Sequence, residues 1–354
     1  MDFQKGFDTV IHTGIKIKLL SIGVGLKFYE IIKNMYEVSK SCVKLQNHIT
    51  DHFPINLGVK QGDNLSPNLF KIFINDLPDY IEDSIDLILL NNKPLNCLLY
   101  ADDLVLFSTS AKGLQTRLDK LQKYCKDWCL KVNPNTTKVL VFNKAGRHIQ
   151  EKFIYENKIL DCVVNYKYLG LHFSASGSFF FAQTELHKKA LKAYYKLHKV
   201  LITPNPNINT SLHVFDHTIK PILLYRCEIW GSFNPTTARF RNGTITLDKI
   251  YQNLKCELLH TKFCKFILGV HKKSTNVGVL SELGRFPIYY DIFKSLLNYW
   301  HRLETLDSTF PILQDAYITS KTLFESKTTS CYGSIHTILE QIPEIKNFDQ
   351  FCIK

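Results

Sequence analysis

Two adjacent carboxylates, Asp102 and Asp103, stand in the run Leu95-Asn96-Cys97-Leu98-Leu99-Tyr100-Ala101-Asp102-Asp103-Leu104-Val105-Leu106-Phe107, between two apolar segments. The flanking residues read as short strands, rich in leucine, aromatic and β-branched side chains, which leaves the acidic pair in a tight hairpin turn. Like charges ~4 Å apart repel by roughly 4 kcal/mol at an effective dielectric of about 20, so a pair kept at the edge of a buried ribbon needs a shared cation. Oxygen ligands suit a hard divalent ion, Mg²⁺ above all. The competing reading is that both are ordinary turn residues, since Asp hydrogen-bonds its own backbone in turns. The metal reading requires a further carboxylate from elsewhere in the chain, because a two-metal phosphoryl-transfer site draws ligands from more than one segment.

Asp2, in Met1-Asp2-Phe3-Gln4-Lys5-Gly6-Phe7-Asp8, is the candidate. Between it and the acidic pair lie Gly58-Val59-Lys60-Gln61-Gly62-Asp63-Asn64-Leu65-Ser66-Pro67 and the apolar Leu69-Phe70-Lys71-Ile72-Phe73-Ile74-Asn75-Asp76-Leu77. After the pair come Asn133-Pro134-Asn135-Thr136-Thr137-Lys138 and Tyr166-Lys167-Tyr168-Leu169-Gly170. In this order the segments resemble palm motifs A to E of the reverse transcriptases of non-LTR retrotransposons, the LINE elements, and in particular the jockey-like ones. A set of motifs in a fixed order carries far more weight than any one of them. The likeness is looser beyond Gly170, where Leu223-Leu224-Tyr225-Arg226-Cys227-Glu228-Ile229-Trp230-Gly231 and Glu282-Leu283-Gly284-Arg285 carry it.

The resemblance implies an α+β fold: a polymerase palm, with an antiparallel sheet covered by helices on one face, over residues 1–175. A mostly helical thumb-like region over 176–270 and a weakly patterned C-terminal extension over 271–354 follow. It implies an RNA-directed DNA polymerase in which two Mg²⁺ ions, with Mn²⁺ as the alternative, assist transfer of a nucleotide to a primer 3′-hydroxyl. Asp2 and Asp102 would bridge the metals and Asp103 would complete the carboxylate set. Phe7, which alone reads as core packing, would lie under the sugar of the incoming nucleotide and exclude a 2′-hydroxyl. Gln61 and Gly62 would meet the template base pair, against the plainer reading of a loop glycine with an exposed amide. Lys138 would protonate or steady the leaving pyrophosphate, or else be an exposed strand-edge lysine. Tyr168, Leu169 and Gly170 would form the primer grip. The implied partners are an RNA template, a DNA primer and deoxynucleoside triphosphates. Gly6 replaces a commoner alanine and Asp63-Asn64 stand where Cys-Pro is frequent; neither removes a metal ligand. Only Met1 precedes Asp2, so an N-terminally truncated chain lacking the fingers is expected. Chain ends not tied into a sheet are poorly ordered, which leaves Asp2 loosely held and polymerase activity low. The alternative is a catalytically silent remnant or a co-opted nucleic-acid-binding protein.

The remaining elements must position these residues. Helices are expected from Val10 through Leu19, over Leu26 to Ser39, from Pro67 to Leu77, over Thr116 to Leu130 and over Gln183 to Leu201, with further ones over Thr210 to Tyr225, Asp248 to Leu268 and Ile288 to Leu306. Paired strands are expected between Cys42 and Leu57, a strand over Val139 to Phe142 and a hairpin from Phe153 to Phe173. Pro204-Asn205-Pro206-Asn207 reads as a loop, and the tail from Asp307 as weakly patterned. Lys188, Lys192, Lys196 and Lys199 stripe one helix face, either simply solvated or set against the duplex backbone. The formal charge of +12 suits a polyanion. The ten cysteines are scattered without zinc spacing, and Cys125 and Cys129 read as packing residues. His213 and His217 are four apart without a third ligand. No run approaches the ~18 apolar residues of a membrane span and no secretory leader opens the chain, so an intracellular protein with no membrane partner is expected, nucleus or cytoplasm left open.

Overall fold

The computed structural model describes residues 1–82, 86–202, 207–232, 254–306, 309–328 and 330–340. The chain divides into two compact units, one of Met1–Val141 with Arg147–Val164, the other of Phe142–Gly146 with Asn165–Lys354. Both mix in no long apolar helix: among the described residues none is long and apolar enough to cross a membrane.

The first unit is organised by an antiparallel ribbon of Cys97–Tyr100 and Asp103–Leu106, in register from Cys97↔Leu106 to Tyr100↔Asp103. That register leaves Ala101 and Asp102 as the loop, with Ala101 at φ 52°. A positive φ at the first loop residue alone is the pattern of a type II′ turn, whose twist matches the strands and which favours glycine. Alanine there costs about 1 kcal/mol. The N-terminal segment lies along the other edge of the ribbon, where Asp2 bridges Asp103 and Phe3 bridges Val132. The Leu104 N–H donates to the Met1 carbonyl at 3.0 Å and the Met1 amine to the Leu104 carbonyl at 2.9 Å. On the far side the Asn133 N–H donates to the Asp2 carbonyl at 3.0 Å. The loosely held Asp2 expected from its place in the sequence is therefore not observed: backbone bonds grip the segment on both edges.

Helices His12–Ser21, Ser66–Phe73, Leu77–Ile81 and Ala111–Asp127 share one core with this ribbon, formed by Phe3, Leu19, Phe70, Phe73, Leu104, Leu121 and Tyr124 among others. The continuous helix expected from Pro67 to Leu77 breaks after Phe73. Pro78 has no N–H to return to the Ile74 carbonyl, and the Leu77 N–H takes that role at 3.1 Å. The helix expected at Thr116 begins at Ala111, because the Ser110 hydroxyl caps it by accepting from the Gly113 N–H at 3.0 Å. Its end is set by the Leu130 N–H, which donates to the Cys125 carbonyl at 2.8 Å while Cys129 adopts φ 56°. Cys125 is buried, but Cys129 lies past the helix and is exposed, so only the first thiol packs in the core. The short pairs Lys44–Leu45 and His48–Ile49 are exposed throughout, so the alternation at Val43 to Gln46 marks no buried face. Strand Lys158–Val163 pairs antiparallel with Phe153–Tyr155 and, unexpectedly, parallel with Lys138–Leu140.

One ionic contact inside this core was not legible in the sequence. Lys18 is only 4% exposed; its ammonium pairs with the Asp76 carboxylate and sits 3.6 Å from the Trp128 ring centroid. The Tyr124 hydroxyl donates to Asp76 Oδ1 at 2.7 Å. Burial first, and the neighbouring Asp76 carboxylate second, push the Tyr124 phenol far above its ordinary range. Asp76→Ala strands the Lys18 charge among aromatic rings, and breaking such a pair is costly, less so here because Asp76 is half exposed. A loss of about 2 kcal/mol is expected from the urea midpoint at unchanged m value; a midpoint equal to the parent's would show that solvent replaces the carboxylate at no cost.

The second unit opens with a hairpin, Asn165–Tyr168 against Leu171–Ser174, and is otherwise helical. Helices Phe180–Ile202, Ile208–Thr218, Lys255–Ile267 and Tyr289–Glu304 contribute to a second core around Tyr194, Phe215, Phe263, Ile292 and Trp300. The helix expected over Thr210 to Tyr225 ends at Thr218, and a short one, Lys220–Leu223, restarts with Pro221 in its first turn. Residues 204–206 of the expected loop and 248–253 of the expected helix lie outside the described residues. Two described stretches of the weakly patterned tail form helices. Pro311–Glu325 and Cys331–Glu340 are helical, and Tyr317 and Tyr332 pack on the Trp300 ring with centroids 5.7 and 4.6 Å away.

Candidate active site

The three acidic residues singled out by their sequence context meet on the ribbon. Asp2 and Asp103 are direct antiparallel partners, so their side chains leave the same face of the sheet, with Cβ atoms about 5 Å apart. Asp102 occupies the turn, and its carbonyl accepts from the Phe3 N–H at 3.1 Å, which ties the turn to the N-terminal segment. The Asp103 carboxyl is held above the usual carboxylate range by burial first and then by the charge of Asp102; the Met1 amine opposes this, and Asp2 adds to it. The donor set is thus oxygen only, crowded with like charge and half-exposed. Among the described residues no group of three or more His, Cys, Asp or Glu is gathered closely enough to hold a metal ion by itself. An open carboxylate face fits Mg²⁺, which keeps several waters and takes one or two carboxylates alongside substrate phosphates. The chemistry of the donor set, oxygen only and negatively charged, suits such an ion.

Beside this face, the turn Gly6–Thr9 packs on the Gly58–Gln61 segment. The Val59 N–H donates to the Phe7 carbonyl and the Gly58 N–H to the Val10 carbonyl, both at 2.8 Å. Gly58 has φ 85°, and a Cβ there would lie 3.0 Å from the Asp8 carbonyl oxygen, so only glycine allows the approach. His12 Nε2 reaches the Gly58 carbonyl at 2.8 Å. The half-buried Phe7 ring stacks on Phe70 with centroids 4.7 Å apart. The Gln61 amide donates to Asp8 Oδ1 at 2.8 Å, and Gly62 turns the chain at φ 86°. Asp8 and His12 are thus the residues that hold the loop, and the sequence reading gave neither a role. Asp8 could have been suspected from its place beside Phe7, whereas nothing local distinguishes His12.

The other candidates are placed differently. Lys138 lies opposite Asp161 in the parallel register, and its ammonium pairs with Asp161 Oδ2 at 2.6 Å. Tyr168, Leu169 and Gly170 form the turn end of the hairpin in the second unit. Lys188, Lys192, Lys196 and Lys199 are all exposed along Phe180–Ile202, with Lys188 bound to Glu185 at 2.8 Å. His213 and His217 stack at 4.0 Å between ring centroids, and His217 Nδ1 donates to the His213 carbonyl, which accounts for the pair without a metal.

Comparison with known proteins agrees with the motif order. Residues 1–173 match the family described as reverse transcriptase (RNA-dependent DNA polymerase). The chain is 29% identical over 248 residues to the probable RNA-directed DNA polymerase from transposon BS of Drosophila melanogaster, covering 65% of this chain and 26% of that protein. It is 30% identical over 188 residues to the retrovirus-related Pol polyprotein from type-2 retrotransposable element R2DM of Drosophila melanogaster, 50% of this chain and 17% of that one. It is 25% identical over 238 residues to the RNA-directed DNA polymerase from mobile element jockey of Drosophila funebris, 65% of this chain and 25% of that one. The chain thus spans about a quarter or less of the length of these relatives. Ordered motifs, the paired carboxylates on one ribbon and these likenesses together identify residues 1–173 as a reverse transcriptase domain similar to those of these mobile-element polymerases.

Proposed function

We propose that the chain supplies the palm of an RNA-directed DNA polymerase. The observation that carries this reading is the Asp2↔Asp103 bridge, which brings a carboxylate from the first segment of the chain against the Asp102-Asp103 turn. Asp2 and Asp102 would hold the divalent ions, Mg²⁺ or Mn²⁺, and Asp103 would complete the charge; bound there, such ions would supply stabilisation of the attacking and leaving oxygens of an in-line displacement. The primer 3′-hydroxyl gives up its proton to solvent, its oxygen bonds to the α-phosphorus of a deoxynucleoside triphosphate, the bond from that phosphorus to the oxygen shared with the β-phosphate breaks, and pyrophosphate leaves. Phe7 lies under the incoming sugar and excludes a 2′-hydroxyl. Gln61 and Gly62 meet the templating pair, from a loop whose position Asp8 and Gly58 fix. Lys138 serves the leaving pyrophosphate once its pair with Asp161 opens.

Nucleic acid is held, in this reading, by the lysine stripe. In the same helical unit an open groove of about 550 Å³ runs between Phe180–Ile202 and Lys255–Ile267, lined by Lys188, Lys255 and Lys262 with Tyr195 and Leu258. Lysine contacts to phosphate release counterions, so affinity falls with salt. Changing Lys192, Lys196 and Lys199 together to Gln is expected to lower the slope of log K against log salt by up to about 3; an unchanged slope would return the stripe to a solvated face.

The reading as a whole is tested by assaying the purified chain on primed RNA with Mg²⁺ and deoxynucleotides. Template-directed, metal-dependent incorporation supports the polymerase. Salt-sensitive binding with no incorporation at any protein concentration would replace it with a silent, nucleic-acid-binding remnant.

A further inference from the structure

The Leu223 to Gly231 segment has no part in the chemistry above, yet its tyrosine reaches the primer-grip turn. The register Tyr168↔Leu171 leaves Leu169 and Gly170 as a two-residue loop, with φ 45° and 85°. Two consecutive positive φ angles are the pattern of a type I′ turn, which favours Asn-Gly or Gly-Gly. Leucine in the left-handed region costs about 1 kcal/mol, and strain of that kind persists only where surrounding contacts over-determine it. The contact here is Tyr225: its hydroxyl donates to the Leu169 carbonyl at 3.0 Å. The same hydroxyl lies 2.7 Å from where a Cβ on Gly170 would stand, so the turn and the ring are fitted to each other.

Tyr225 is itself anchored. The indole N–H of the buried Trp230 donates to the Tyr225 carbonyl at 2.8 Å, and Arg226 turns the chain at φ 56° with its guanidinium 5.7 Å from the Tyr225 ring. Tyrosine, arginine and tryptophan in that motif therefore act together: the tryptophan is sunk in the helical core, and the tyrosine carries its position out to a half-exposed hairpin tip.

We propose that Tyr225 is a positioning residue that locks the Leu169-Gly170 turn in the strained shape that meets the primer end. The proposal rests on the reading of that hairpin as the primer grip. Its test uses the whole chain and needs no turnover. Tyr225→Phe keeps the ring and removes the hydroxyl, while Gly170→Ala puts a methyl where the hydroxyl lies. Two quantities are measured: amide hydrogen exchange at Leu169 to Leu171, and affinity for primed RNA beside the same RNA without primer. Each variant is expected to quicken exchange at the turn and to weaken primed binding about fivefold, the worth of one hydrogen bond, with unprimed affinity and its salt slope unchanged. The double variant should lose less than the two single losses combined, since the hydroxyl that the Gly170→Ala methyl meets is the one that Tyr225→Phe removes, while the strain of alanine at φ 85° is common to the single and double Gly170 variants. Exchange equal to the parent's in both variants would overturn the latch. Faster exchange with equal loss on primed and unprimed RNA, or with no loss on either, would overturn the positioning role while leaving the polymerase reading intact. Absence of RNA binding by the parent chain would sink that reading first.

Discussion

Asp102→Asn is expected to abolish deoxynucleotide incorporation, by about a thousandfold or more, while leaving affinity for primed RNA within about twofold of the parent. The amide keeps the size of the carboxylate and can still accept a hydrogen bond, but it removes the charge that a divalent ion needs at the turn. Because the lost interaction is made with charge developing in the transition state, it appears in turnover rather than in ground-state binding. The backbone contacts that hold the turn, the Phe3 N–H on the Asp102 carbonyl and the strand register to Tyr100, do not involve the side chain and survive the change. A second readout is independent of activity. In the parent, burial first and then the charges of Asp102 and Asp2 raise the carboxyl of Asp103, and the Met1 amine offsets them only in part. Removing one of those charges should raise the melting temperature in metal-free buffer by a degree or so, about what a few tenths of a kcal/mol gives. Added Mg²⁺ should stabilise the parent and leave the variant nearly unmoved. Incorporation by the variant at the parent's rate would remove Asp102 from the metal site. Equal stabilisation of both chains by Mg²⁺ would place the ion elsewhere.

The candidate residues of this site stood out in sequence because each lies in a short, self-contained pattern. An acidic pair between two strands forms its hairpin locally, and the register from Cys97 to Leu106 follows from the alternation itself. What joins the pieces was not legible. Asp2 meets Asp103 only because Met1 to Phe3 inserts between the hairpin and the Val132 segment, a pairing decided across the whole unit. Lys18 illustrates the same limit: within its helix it reads as a polar position, and its burial depends on Asp76 in the turn before Leu77–Ile81 and on Tyr124 and Trp128 at the end of Ala111–Asp127. The parallel pairing that sets Asp161 against Lys138 is likewise non-local, and it changes what Lys138 can do without prior release. Pro78 is the opposite case. Its effect on the helix after Phe73 is local and follows from a missing N–H, so the break was available to a stricter reading of the sequence.

Phe7→Ala carries the other large expectation, a rise of about tenfold or more in ribonucleotide over deoxynucleotide incorporation, the order of effect that one filled or emptied methylene-scale space has on selection in a pocket. The ring is well placed to act as a fixed wall. Its carbonyl is pinned by the Val59 N–H at 2.8 Å and its face is stacked on Phe70, so neither backbone nor ring can yield to a 2′-hydroxyl at little cost. The same stack makes Phe7 a packing residue of the first core, and truncation should cost about 2 kcal/mol of stability because the side chain is only half-buried. The two roles separate cleanly in one experiment. Stability loss lowers the fraction of competent protein and scales both nucleotide rates together, whereas a lost steric wall changes their ratio. The ratio is therefore measured within a single preparation, with both sugars offered opposite the same template base. A lower melting temperature with an unchanged ratio would leave Phe7 as part of the core alone, and sugar selection would have to come from another wall of the site.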